Sequence, residues 1–131
     1  MKIMIDTNIL ISAFVFKSKT INEVIRRLTD EHEIVIASYC IEELKEVINE
    51  KFNIDINVVD NFLRSFPFNL VYSPTNVEEK LFEIRDECDY IILHTAILEN
   101  VDVLITGDKD FKEINIEHPE ILTPREFLER Y

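Results

Sequence analysis

Glycine occurs once in this chain, as Gly107, proline four times, cysteine twice and tryptophan not at all. So little glycine and proline excludes collagen-like, linker-rich and low-complexity architectures, which need residues that free or fix the backbone throughout. Cys40 and Cys88 have no neighbouring Cys or His at metal-ligand spacing. They argue for plain thiols in a reduced cytosolic chain and against a disulfide scaffold. No apolar stretch approaches the roughly 20 residues that span a bilayer, and the chain enters a strand pattern without a signal segment. A cytoplasmic protein with no membrane contact is the expectation. A phosphate-binding Gly-rich loop is missing, and the histidines form no Ser-His-Asp or Cys-His arrangement. His94, on an apolar helix, reads as a satisfied core residue.

Basic residues are also scarce: 14 Lys and Arg stand against 26 Asp and Glu, a net charge of −12. Such a field repels polyanions, so a nucleic-acid substrate would need a local basic patch, a cation or a partner chain.

What is present is an ordinary globular balance, 47% hydrophobic and 31% charged over 131 residues. That length suits one compact domain, residues 1–131, burying about two thirds of its unfolded surface. Short β-branched apolar runs at 2–5, 34–37, 70–72, 102–106 and 121–122 predict strands buried on both faces. Helical periodicity covers 20–31, 39–51, 56–65, 77–87, 89–99 and 124–130. Strands alternating with helices predict an α/β fold with a mainly parallel sheet. Ser38 is expected to cap the second of these helices, Asn76 the fourth, and Thr123-Pro124 with Glu126 the last. In "DYIILHTAILEN" apolar side chains cover nearly the whole circumference, which predicts a deeply buried helix.

The polar residues are informative where strands end. In an open parallel sheet the binding crevice lies beyond the carboxyl ends of the strands, where strand order reverses. Asp6 follows the first strand, and "VDVLIT" runs into "GDKD", placing Asp108 and Asp110 on the same edge. Gly107 at that corner is expected to answer a demand for positive φ or close backbone approach. Glu43 lies about one turn into a helix and Asp89 begins another, where the macrodipole favours carboxylates; Asp86 would share the face of Asp89. Two carboxylates about 5 Å apart repel by on the order of 3 kcal/mol at an effective dielectric near 20. Something cationic must offset this, and an oxygen-only donor set favours Mg²⁺ or Mn²⁺ over zinc. Taken singly, Asp6 reads first as a helix cap and "GDKD" as a turn; it is the combination of acids on one rim that points to a site. Thr7, Asn8 and Ser12 could hydrogen-bond a carboxylate or serve as capping residues.

"MIDTNILISA", "SYCIEELKEVI", "DECDYIILHTAI" and "VDVLITGDKDF", in that order over nearly the whole chain, resemble the PIN-domain ribonucleases. The likeness is to the small stand-alone prokaryotic type that is often the toxin of a toxin–antitoxin pair. It implies a three-layer α/β/α fold around a central, mainly parallel five-stranded sheet in the order 3-2-1-4-5. Carried over by residue, it implies a metal-binding and catalytic quartet of Asp6, Glu43, Asp89 and Asp108, with Asn8, Ser12, Asp86 and Asp110 as auxiliaries. Where the subgroup often reads Asp-Pro-x-Asp, this chain has "DECD", with Glu87 in place of proline. The resemblance further implies Mg²⁺ or Mn²⁺ as cofactor, RNA as substrate, a homodimer and an antitoxin partner. Lys17, Lys19, Lys109 and Lys112 are the expected phosphate contacts.

Two other readings fit part of the pattern. A haloacid-dehalogenase-like phosphatase also uses an Asp after its first strand, but expects a second Asp where this chain has Asn8. A PIN-like scaffold or RNA-binding module would ordinarily have lost one of the four acids, and all four are here.

Overall fold

A computed structural model of the chain describes residues 1–74, 87–114 and 116–131. The helix expected over 77–87, its Asn76 cap and Asp86 lie outside the described residues, as does the side chain of Lys112. In chain order the elements are β1 (Lys2–Ile5), α1 (Thr7–Phe14), α2 (Lys19–Glu31), β2 (Glu33–Ala37), α3 (Ser38–Phe52) and α4 (Ile56–Leu63). There follow β3 (Asn69–Val71), α5 (Glu87–Leu98), β4 (Val103–Ile105), a 3₁₀ turn (Lys109–Glu113), β5 (Glu120–Leu122) and α6 (Pro124–Arg130).

The five strands form one sheet in the order β3-β2-β1-β4-β5, every neighbouring pair parallel. Ile3 is in register with Ile34 on one side and Val103 on the other. Strand order therefore reverses between β1 and β4, and the crevice at their carboxyl ends is where ligands bind in such sheets. Ile3, Met4, Ile5, Val35, Ile36, Leu104 and Ile105 are wholly buried. Consecutive strand residues buried without alternation require cover on both faces, the mark of a parallel sheet sandwiched between helix layers. Leu10, Leu44, Ile48, Ile92 and Leu93 supply the helical side of the core. Helix α3 packs on α1, α4 and α5, while α2 packs on α6. No described helix is long and apolar enough to cross a membrane.

Four expectations need correcting. The chain after Asp6 forms α1, which the periodicity did not resolve: in "TNILISAF" the buried Ile9, Leu10 and Ala13 are interleaved with half-buried Ile11 and Phe14, so polar and apolar faces are not distinct. Strand β3 is not buried on both faces, because it is an edge, with Leu70 45% and Tyr72 79% exposed. Ser38 does not cap α3 with its side chain; it is the first helical residue. The cap comes from Ser73, beyond β3, whose hydroxyl accepts from the Tyr39 N–H at 3.3 Å while its own N–H donates to Ser38 Oγ at 2.9 Å. Gly107 has no positive φ, and a Cβ there would meet nothing within 4 Å, so neither backbone strain nor a close approach explains it. The expected cap of α6 is present in full: Thr123 and Glu126 form a reciprocal capping box with Pro124 at the first helical position.

Candidate active site

Asp6 is the first residue beyond β1. Its N–H donates to the Ile105 carbonyl at 3.1 Å, which carries the β1·β4 ladder one residue further and pins Asp6 to the sheet. Its side chain then caps α1, Oδ1 accepting from the Thr7 N–H at 2.7 Å. Oδ2 accepts from the Thr106 hydroxyl at 2.8 Å. Asp6 is thus a cap and a site carboxylate together, and the two readings of the sequence do not compete.

The carboxyl is 2% exposed, and its pKa is pushed up from 3.8 to about 6. Burial is the main cause; hydrogen bonds from Thr106 and Thr7 oppose it, and the charges of Glu43 and Asp108 add to it. Beneath it lies Cys40, whose thiol is pushed up to about 12, first by burial and then by the Asp6 charge. That thiol stays protonated and unreactive.

Thr106 joins the two strand ends. While its hydroxyl donates to Asp6, it accepts from the Asp108 N–H at 3.0 Å. Asp108 then caps the 3₁₀ turn, its Oδ1 accepting from the Asp110 N–H at 2.9 Å. Glu43 comes from α3, with the Tyr39 hydroxyl one turn back donating to its Oε2 at 3.3 Å. Asp89 is the third residue of α5 and is 7% exposed.

These side chains line one open cleft of about 280 Å³, bounded by Asp6, Asn8, Ile11, Glu43, Val47, Lys51, Asp89 and Asp108. The four expected acids and Asn8 are therefore brought together from four distant segments. Asp110 stands beside them: one carboxylate oxygen each of Asp89, Asp108 and Asp110 lies within 4.8 Å of the others. Ser12 is half-buried and is not among the residues lining the cleft; Lys17, Lys19 and Lys109 are exposed and are not among them either, although Lys109 stands in sequence between Asp108 and Asp110. His94 is half-buried against Tyr90, ring centroids 5.5 Å apart. Its Nδ1 has no hydrogen-bond partner among the described residues, so it is not the satisfied core histidine expected.

Three contributors escape the sequence reading. Lys51 lines the cleft eight residues after Glu43, the i, i+4, i+8 spacing through Val47 that puts all three on one helical stripe. Tyr39 precedes Glu43 by the same i, i+4 spacing. Thr106 leaves no local signal, since its partner Asp6 is 100 residues away.

The donor set fits a hard divalent cation. All the converging ligand atoms are carboxylate oxygens, and such crowding, about 3 kcal/mol for each ionised pair near 5 Å, is offset by binding one. Asp89, Asp108 and Asp110 offer the tightest ligand group, with Asp6 and Glu43 facing the same space.

Comparison with known proteins is consistent with this architecture. No curated protein sequence matches the chain. Among solved structures, VapBC2 from Rickettsia felis, bound to a DNA fragment from its promoter, superposes with a TM-score of 0.71 at 24% identity over 93% of this chain and 97% of that one. VapC20 of Mycobacterium tuberculosis, a toxin that cleaves the sarcin–ricin loop, superposes with a TM-score of 0.59 at 10% identity over 86% of this chain and 95% of that one. The family model of the PIN domain matches residues 3–117, from β1 through the 3₁₀ turn and every acid of the cleft, and on that extent the chain belongs to the PIN-domain family.

Proposed function

We propose that this PIN domain is a Mg²⁺- or Mn²⁺-dependent endoribonuclease that hydrolyses RNA phosphodiester bonds and is the toxin of a toxin–antitoxin pair. The observation that carries the reading is the convergence of Asp6, Glu43, Asp89 and Asp108 on one open cleft at the strand-order reversal. Asp89, Asp108 and Asp110 would hold one cation, and Asp6 with Glu43 would complete the set. Bound there, a divalent cation supplies an activated water and a stabilised leaving oxygen for in-line displacement at phosphorus.

The chain's own residues do the rest. Thr106 fixes the Asp6 carboxylate and the Asp108 backbone at once, so the two strand-end acids cannot drift apart. Tyr39, one turn back on the same helix, restrains Glu43 through its hydroxyl. Asn8 offers an amide at the cleft surface, able to donate to a phosphate oxygen but not to shuttle a proton. That inability disfavours the phosphatase alternative, whose chemistry needs an acid at this point. An intact set of acids likewise disfavours an inactive scaffold.

The solved neighbours support the biological setting: one is a toxin–antitoxin complex on promoter DNA and the other an RNA-cleaving toxin. An antitoxin partner, a homodimer and a cytoplasmic location belong to the same reading. The test is cleavage of a labelled single-stranded RNA pool by wild type and by Asp6→Asn, with Mg²⁺, Mn²⁺ or EDTA. Metal-dependent cutting that the variant lacks is the expected result. Binding of metal without cutting by wild type would move weight to the phosphatase or the inactive module.

A further inference from the structure

We infer that Lys51 is the phosphate-contacting residue of the cleft, holding the RNA backbone beside the acids; this rests on the ribonuclease reading above. Lys51 is the only cationic side chain among the described residues that line the cleft. It is exposed, and no described carboxylate pairs with it, whereas Lys45 on the same helix is committed to Asp60 at 3.1 Å. The Lys51 ammonium, exposed in a cleft lined also by Asp6, Asn8, Glu43, Asp89 and Asp108, is free to meet an anion brought from outside the chain.

Its placement suits a backbone phosphate. Glu43 and Lys51 are separated by about 12 Å of helix axis, and helical side chains lean toward the N-terminus. Lys51 shares one helical stripe with Val47 and Glu43, all three lining the cleft, so its flexible four-carbon stem starts from the same wall as Glu43. A strand whose scissile phosphate sits at the acids would meet Lys51 with a neighbouring phosphate. In a chain of net charge −12, one cation at the point of contact has no local substitute on the described cleft wall. Lys17, Lys19 and Lys109, which the sequence suggested for this task, do not line the cleft.

The experiment compares wild type, Lys51→Gln and Lys51→Arg in metal-dependent RNA cleavage, in RNA binding as a function of salt, and in Mn²⁺ binding. For Lys51→Gln we expect KM to rise about tenfold with kcat nearly unchanged. The slope of log binding constant against log salt should flatten by about 0.7, the value of one single-strand phosphate contact. Lys51→Arg should restore both, and Mn²⁺ affinity and the melting curve should be unaltered. Wild-type cleavage with an unchanged salt slope and KM in Lys51→Gln would overturn the assignment while leaving the ribonuclease standing. Tighter Mn²⁺ binding in Lys51→Gln with no change in RNA binding would also overturn it, making Lys51 a counter-charge for the acids. If wild type neither binds nor cuts RNA, both readings fall together.

Discussion

Asp6 shows how one residue can serve two purposes that pull on its energy in opposite directions. Its carboxylate caps α1 and accepts from Thr106, yet burial beside other acids raises its pKa to about 6. Unfolded, the same group titrates near 3.8. Between those values the folded state binds the proton more readily, so this group's contribution to stability is full below pH 3.8 and is lost as pH rises through 6. At pH 7 without metal, the ionised Asp6 costs about 3 kcal/mol relative to its unfolded state. Asp6→Asn keeps an acceptor for Thr7 and a polar partner for Thr106 while removing the charge. The variant should therefore be about 1–3 kcal/mol more stable than wild type in EDTA at pH 7. The advantage should shrink toward pH 4, as measured by urea unfolding at both pH values; a clear loss of stability at pH 7 would make Asp6 chiefly a structural cap. The acids were legible in the sequence because each stands at a strand end or helix start. Thr106 and Lys51 were not, because the first works across the sheet and the second is one of two lysines on its helix, with no local feature to set it apart from Lys45.

Among the elements, the parallel strands β1, β2 and β4 are the most legible, since double-sided burial demands uninterrupted apolar residues. Edge strand β3 carries a similar apolar signature and is exposed nonetheless; position in the sheet is a tertiary fact that a run of three residues does not encode. Capping of α3 fails to show for the same reason. A serine immediately before a helical pattern is a local signal, but Ser73 reaches the helix start from beyond β3, 34 residues from Tyr39. This tie links the β3 end to the helix that carries Tyr39, Glu43 and Lys51. Ser73→Ala should cost about 1 kcal/mol, the usual value of a lost cap, read as a lower urea midpoint with an unchanged slope. An unaffected midpoint would mean that solvent satisfies the Tyr39 N–H equally well.

On the scale of the whole molecule, the acids make stability depend on what is bound. A cation that binds the folded state alone stabilises it by about 2.7 kcal/mol at one hundred times its Kd. Millimolar Mg²⁺ or Mn²⁺ should therefore raise the melting temperature at pH 7, and the shift should fade below pH 6 as protons compete for Asp6. No shift at pH 7 would sink the preformed metal site. The long-range bond from Thr106 to Asp6 has a further consequence, which concerns time. It spans 100 residues, and it depends on β4 lying beside β1, on the flank opposite β2. Contacts so distant in sequence close late, because the loop entropy must be met before they form. A nascent chain that has not reached β4 carries Asp6, Glu43 and Asp89 but neither Thr106 nor Asp108. Assembly of the cleft is thereby postponed until most of the chain has been synthesised.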